Sequence, residues 1–74
     1  MTQVQVLINA PEKAEKLCGI LSRYQGTFDL VKGGYCVDGK SILGIFTMDL
    51  STPLTLSIHD DSEPVLSAIQ DFVV

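Results

Sequence analysis

Hydrophobic and polar residues alternate in four short stretches of the 74-residue chain. Alternation with a period of two residues predicts β-strands that bury one face. Gly33 and Gly34 separate the second stretch from the third, and two glycines between alternating segments are typical of a β-hairpin turn. The apolar residues of the four predicted strands are Val4, Val6 and Ile8; Phe28 and Leu30; Tyr35 and Val37; and Leu54, Leu56 and Ile58.

Two other segments carry apolar residues three and four positions apart, the spacing of an amphipathic helix. The first is predicted to run over residues 11–24, with Asn9 as N-cap or turn residue, Pro11 in the first turn and Gly26 as the stop. The second is predicted to begin after Ser62 as N-cap and to run to the C-terminus. Their apolar positions are Ala14, Leu17, Cys18, Leu21 and Tyr24 in the first helix, and Val65, Leu66, Ile69, Phe72 and Val73 in the second.

A third helix is predicted over residues 41–50, within the stretch DGKSILGIFTMDL, with Ser41 as its N-cap. On a helical wheel its apolar residues form two groups, the first with Ile45 and Met48 and the second with Ile42, Leu43 and Phe46. A helix on a two-layer domain buries one side only. We therefore expect the first group to face the core and the second to be exposed as a partner surface. Alternatively, the helix is irregular and all five side chains pack under neighbouring loops.

The predicted elements follow the order β-α-β-β-α-β-α in a single domain over residues 1–74. Each predicted strand has one apolar and one polar face, which favours an antiparallel sheet with one face in water and helices over the other. The sequence therefore predicts a two-layer α/β (α+β) open-faced sandwich.

The chain has a net charge of −4, and its five Lys and Arg residues are scattered singly. A nucleic-acid interface needs clustered cations to neutralise phosphates, so no nucleic-acid partner is expected. No apolar run approaches membrane-spanning length. The N-terminal MTQVQVLINA alternates and lacks the basic and apolar regions of a signal peptide. We expect a cytoplasmic protein that does not bind membranes.

Cys18 and Cys36 are expected to be free thiols, because the chain has neither a CxxC motif nor a secretion signal; a disulfide is the alternative. A single histidine and the absence of a Cys–His cluster leave a zinc site without a ligand set, so no metal or other cofactor is predicted.

The acidic cluster Asp60, Asp61 and Glu63 has two interpretations. It forms either a metal site or a loop whose acids favour the N-terminus of the last helix.

The motif KSILG at residues 40–44, placed after a predicted hairpin, resembles the histidine-containing phosphocarrier protein (HPr) family of the bacterial sugar phosphotransferase system. The likeness covers nearly the whole chain and includes the order of the elements. It extends backward through Val37, Gly34, Leu30, Tyr24, Ser22 and Leu17, and forward through LTLSI and the last helix. The resemblance implies a sheet with strand order 1-4-2-3 and three helices on one face.

The resemblance also implies a function. HPr proteins carry a phosphoryl group on a histidine in a GxHARP motif at the start of helix one, received from phosphoenolpyruvate through enzyme I and passed to sugar-specific transferase subunits. In many Gram-positive bacteria a kinase also phosphorylates the serine of KSI-[LM]-G, and that form docks on a transcriptional regulator. Here Ser41 matches the regulatory serine, and Lys40, Ile42, Leu43 and Phe46 match the docking helix.

The phosphocarrier motif itself is not kept. Its histidine, arginine and proline positions fall on Ala10, Glu12 and Lys13. Phosphoryl transfer needs a nucleophile and a cradle of cations or amides; Ala10 cannot attack phosphorus, and Glu12 repels an incoming phosphate. His59 is interpreted as a solvated loop histidine beside two aspartates. The 1-4-2-3 order implies that it lies at the opposite end of the domain from the start of helix one.

Three functions stay open. The first is a non-catalytic, HPr-like regulatory or protein-interaction module that acts through the Ser41 helix, with phosphotransferase-system enzymes, an HPr kinase or a transcriptional regulator as partner. The second is a phosphocarrier protein with an atypical acceptor. The third is a self-associating structural domain. Because the phosphoacceptor histidine is missing, we do not expect an enzyme.

Overall fold

The computed structural model describes residues 1–60 and 62–74, which form four strands, three α-helices and one 3-10 helix. In chain order these are β1 (Thr2–Val6), α1 (Pro11–Leu21), β2 (Phe28–Lys32), β3 (Tyr35–Asp38), α2 (Ile42–Ile45), β4 (Leu54–Ile58), α3 (Glu63–Ala68) and the 3-10 helix Gln70–Phe72. The strands lie in the order β1-β4-β2-β3, and each neighbouring pair is antiparallel. The predicted element order and open-faced sheet are confirmed.

Alternation along the strands places apolar side chains in the core between the sheet and the helices. Leu56 on β4 lies opposite Val4 on β1 and Leu30 on β2, so three strands contribute to one row. The sheet residues that are almost fully buried are Val6, Phe28, Leu30, Leu54, Leu56 and Ile58. Burial of apolar surface on this face is the main source of stability for a domain of this size.

The other face of the sheet is polar, as the alternation predicts. Gln3 Nε2 donates to Ser57 Oγ over 3.1 Å, and Gln5 Nε2 donates to Thr55 Oγ1 over 2.7 Å. Both bonds join residues that are direct partners across β1 and β4. Such cross-strand pairs stabilise a sheet locally. This polar face points away from the helices.

The predicted hairpin between β2 and β3 turns through Gly33 and Gly34. Lys32 lies opposite Tyr35, so the loop has two residues. Gly33 has a φ of 60°, which the primed hairpin turns require and a residue with a Cβ adopts rarely. The order of the sheet leaves β3 at one edge.

Helix α1 is shorter than the predicted range of residues 11–24. It ends at Leu21, and the chain continues in tight turns in which Arg23 N donates to Ile20 O and Tyr24 N to Leu21 O. Bonds between residues three apart are common where a helix ends. The N-cap is Ala10, not Asn9; the Asn9 carboxamide oxygen instead accepts from Lys13 Nζ over 3.2 Å.

The last helix does not run to the C-terminus. Helix α3 ends at Ala68, the 3-10 helix follows, and Val73 forms an antiparallel bridge with Val6. Val74 N donates to Gln5 O, so the extended tail occupies part of the free edge of β1. Ser62 lies at the predicted N-cap of α3, but its side chain does not bond a helix amide; it accepts from Thr2 Oγ1.

Cys18 is buried in α1 and Cys36 is exposed on β3, and both are free thiols, as predicted. Among the described residues, no helix is long and apolar enough to cross a membrane.

Candidate docking site

A tight turn after β3 places the start of α2. Gly39 N donates to Phe28 O over 2.7 Å, and a Cβ at this position would lie 2.9 Å from the Leu21 side chain, so a larger residue does not fit without movement. The Asp38 carboxylate accepts from Lys40 N over 2.9 Å, and its carbonyl oxygen accepts from Ser41 N over 3.0 Å. The sequence DGKS thus fixes the direction in which α2 leaves the sheet.

Ser41 is the N-cap of α2, as predicted. Its backbone is extended, and its exposed side chain accepts a hydrogen bond from Gly44 N over 3.3 Å. A capping side chain satisfies an amide that has no partner within the helix. The Ser41 hydroxyl therefore has a structural role while it stays accessible to solvent.

The exposed apolar surface of α2 and its C-cap consists of Leu43 and Phe46, which are 79% and 44% exposed. We name these two residues the docking pair. Ile45 is fully buried, as predicted. The expectation that Ile42 is exposed is wrong: it is half-buried and packs against the core. Residues three apart lie on one face of a helix, so Ile42 shares the inward face with Ile45.

Helix α2 is also shorter than the predicted 41–50. After Ile45 the chain tightens: Thr47 N donates to Gly44 O and Met48 N to Ile45 O, and the Thr47 hydroxyl adds a second bond to Gly44 O. A wheel of regular α-helix does not apply beyond this point. Met48 is half-buried and packs against the core, so its inward direction is confirmed although the helix has already ended.

Lys40, a predicted docking residue, points toward its own domain. Its ammonium donates to Tyr24 O over 2.7 Å and lies 5.3 Å from the centre of the Phe28 ring. The first contact satisfies a carbonyl group just after α1, and the second is a cation–π interaction. Lys40 therefore ties the end of α1 to the turn before α2.

The residues that the HPr resemblance aligns with the phosphocarrier motif lie at the start of α1. Ala10 is the N-cap and provides no side-chain hydrogen bond, Pro11 occupies the first turn, and Glu12 places a carboxylate there. Lys13 turns its ammonium to the Asn9 side chain. The Ala10 side chain is a methyl group, which is not a nucleophile, and the acid in the first turn favours the helix.

His59 is exposed in the loop after β4, in agreement with the sequence-based interpretation, and its ring also contacts a residue that the sequence did not indicate. Its Nε2 lies 2.8 Å from Asp29 Oδ2, and its backbone N donates to Thr27 O. The signal that was missed is long-range, because Asp29 is thirty residues away and comes near His59 only through the pairing of β2 with β4. The end of β4 adjoins the start of β1, so His59 and Ala10 lie at opposite ends of the sheet.

The acidic cluster after β4 is explained in part by a backbone contact. Asp60 Oδ2 accepts from Thr27 N over 2.9 Å, and the carboxylate packs against Gly26, whose φ of 109° suits glycine. Asp61 lies outside the described residues. Glu63 lies in the first turn of α3, the position predicted for a helix-favouring acid. No metal-binding group of His, Cys, Asp or Glu is found in residues 1–60 and 62–74.

The architecture is similar to two solved HPr structures. HPr-C-His from Thermoanaerobacter tengcongensis superposes with a TM-score of 0.81 at 24% identity, over 96% of this chain and 89% of that chain. The histidine-containing phosphocarrier protein of Mycoplasma gives 0.69 at 18% identity, over 93% and 84%. A comparison with protein-family models finds no match, and neither does a comparison with curated proteins. The chain therefore has the HPr fold.

Proposed function

We propose that this protein is an HPr-like interaction module of the bacterial phosphotransferase system, which docks on a protein partner through α2 and carries no phosphoryl group at the start of α1. The observation that carries the proposal is the exposure of the docking pair, Leu43 and Phe46, directly after the serine-capped turn. Exposed apolar side chains that adjoin each other are typical of partner surfaces. The HPr fold and the KSILG motif support a partner from this system.

The non-catalytic part of the proposal rests on the chemistry at Ala10 and Glu12. A methyl group replaces the imidazole that the family uses as the phosphoryl acceptor, and a carboxylate replaces the cation that would hold the phosphate. The missing nucleophile and the repulsion between Glu12 and a phosphoryl donor both disfavour phosphoryl transfer to this site. Enzymes that recognise HPr by its basic side chains are therefore poorer candidates than partners that bind an apolar helix face.

Ser41 is the proposed site of regulation by a kinase. Its hydroxyl is exposed, and the adjacent amides of the first turn favour negative charge. A phosphate there would add charge within two residues of Leu43 and would change how the docking pair is presented. We place this module in the bacterial cytoplasm, where the kinase and the transport enzymes of the family act.

A second candidate is a phosphocarrier with an atypical acceptor, favoured by the contact between His59 and Asp29. A carboxylate that holds one ring nitrogen orients the imidazole and leaves the other nitrogen available. Against it, His59 lies at the opposite end of the sheet from the start of α1, where the family receives its phosphoryl group. Incubation with phosphoenolpyruvate and enzyme I, with an HPr as positive control, decides between the candidates. An acid-labile phosphate that His59→Ala abolishes would establish the second one.

Incubation with an HPr kinase and ATP, followed by intact-mass measurement, tests the proposed function. We expect one phosphate on the wild type, none on Ser41→Ala, and slower modification of Leu43→Asp. Ser67→Asp adds the same charge to an exposed position on α3 and serves as the control. An unmodified wild type would remove the kinase switch from the proposal.

Sedimentation over a concentration range excludes self-association if the protein stays monomeric.

A further inference from the structure

A small cleft adjoins the docking pair where the end of α2 meets the β2–β3 hairpin. It encloses about 260 Å³ and is lined by Lys32, Tyr35, Thr47, Met48 and Asp49. Ligand pockets usually measure roughly 300–1,000 Å³, so this volume suits a single long side chain better than a whole small molecule. Thr47 lines the cleft and directly follows Phe46, so one partner can contact both the docking pair and the cleft.

The cationic group of the cleft is already engaged by two hydrogen bonds and one ion pair. Lys32 Nζ donates to Asp49 O over 3.1 Å and to Thr52 Oγ1, and it lies 3.5 Å from Asp49 Oδ2. An ammonium has three donors, and three oxygen atoms surround this one. The Thr47 hydroxyl is likewise engaged with Gly44 O. An anionic ligand would find no free donor among these groups.

The anionic group of the cleft keeps an open acceptor. Asp49 Oδ1 accepts from both Ser51 N and Ser51 Oγ, at 3.0 and 2.6 Å, which fixes the orientation of the carboxylate. Within the described residues, the charged partner of Oδ2 is Lys32 at 3.5 Å, and the Asp49 side chain is 66% exposed. Bonds from Ser51 and the charge of Lys32 lower the pKa of this carboxyl, so it is ionised at neutral pH.

The apolar walls select the shape of the cation. Tyr35 is 72% exposed and Met48 is half-buried, and both residues line the cleft. An arginine side chain combines a planar guanidinium, which stacks on an aromatic ring, with donors in a fork that matches a carboxylate. The net charge of −4 adds a general attraction for a basic partner.

We propose that this cleft receives an arginine side chain of the protein that docks on Leu43 and Phe46, with the guanidinium between the Tyr35 ring and Asp49. This inference rests on the proposed docking function and adds a requirement on the partner: its apolar contact residues are accompanied by an arginine. The Asp49 carboxylate accepts the hydrogen bonds, and the stem of the arginine packs on Met48.

Titration of the ¹⁵N-labelled protein with Nα-acetyl-arginine amide, followed by NMR, tests the inference without any partner protein. We expect shifts confined to the amides around Tyr35 and Thr47–Asp49, which weaken as salt is raised. Nα-acetyl-citrulline amide, which has the same shape without the charge, should leave these amides unshifted. Asp49→Asn should weaken binding by roughly tenfold or more, the usual effect of losing a charge-assisted hydrogen bond.

Asp71→Asn is the matched control, because it removes the same charge from an exposed residue of the 3-10 helix Gln70–Phe72. Tyr35→Ala provides a second variant that leaves the carboxylate and Lys32 in place, and it should also weaken binding. Absence of localised shifts, equal shifts with citrulline, or full binding by Asp49→Asn would each overturn the inference. If the arginine amide fails while an HPr kinase still docks on α2, the cleft is rejected and the proposed function stands.

Discussion

The substitutions Leu43→Ala and Ile45→Ala separate the outer from the inner face of one short helix. Full burial of a Leu side chain contributes about 1.5–3 kcal/mol, and Leu43 is 79% exposed, so roughly a fifth of that, ~0.3–0.6 kcal/mol, is lost in Leu43→Ala. Ile45 is fully buried, and the same truncation there leaves a cavity and costs about 2–5 kcal/mol. Alanine keeps the helix propensity high in both variants.

Urea unfolding followed by circular dichroism measures this difference. A domain of this size has a free energy of unfolding of roughly 4–11 kcal/mol, so Ile45→Ala removes a large fraction of it. In thermal unfolding each kcal/mol corresponds to about 4–8 °C, which makes the two variants easy to distinguish. If Leu43→Ala lowers the free energy of unfolding by more than about 1.5 kcal/mol, Leu43 is buried in solution and does not form part of a docking surface.

Three further predictions concern other parts of the molecule. The double variant Ala10→His/Glu12→Arg should accept an acid-labile phosphate from phosphoenolpyruvate and enzyme I, whereas Ala10→His alone should accept less because Glu12 repels the donor; equal labelling would contradict the role given to Glu12. Lys40→Met keeps the apolar stem but leaves Tyr24 O without its 2.7 Å donor, and should cost about 1–2 kcal/mol in urea unfolding; an unchanged midpoint would show that the contact contributes nothing. Hydrogen bonds from Ser51 and the charge of Lys32 hold the pKa of the Asp49 carboxyl below 3.8. The ionised carboxylate therefore stabilises the fold above the unfolded-state pKa, and this contribution is lost as pH falls through the folded-state pKa. Ser51→Ala should return the pKa of Asp49 toward 3.8 in a ¹³C NMR titration.

The strands and most of the core could be predicted because alternation is a local signal; the exception is the edge strand β3, whose Tyr35 is 72% exposed. Leu54, Leu56 and Ile58 carry it without interruption, and each is fully buried in the structure. The hairpin could also be predicted, because Gly33 and Gly34 are a local signal for a turn. The strand order came from the resemblance of the KSILG region to HPr, since alternation alone does not determine which strands are neighbours.

The length of α2 could not be read from a helical wheel, and the direction of Ile42 was assigned wrongly from it. The wheel assumes one regular helix over residues 41–50, whereas the chain tightens after Ile45. Its two groups were also separated too sharply, because Ile42 and Ile45 are three residues apart and share a face.

Contacts between distant residues formed the second class of missed features. The contact of Lys40 with Tyr24 O, the pair of His59 with Asp29, and the cleft beside Asp49 all join segments far apart in sequence. No local pattern around any of these residues reports its partner. The turns that bring them together depend on close approaches, such as Gly26 against Asp60, that only the folded chain reveals.

We propose that a protein partner docks on Leu43 and Phe46. NMR titration of the ¹⁵N-labelled protein with an HPr kinase in the absence of ATP tests this docking directly. We expect the amides of Ser41–Thr47 to shift or broaden first, and we expect Leu43→Asp to abolish the effect while Ser67→Asp preserves it. Binding that maps to the polar face of the sheet, around Gln3 and Gln5, or no binding at saturating kinase, would contradict the claim.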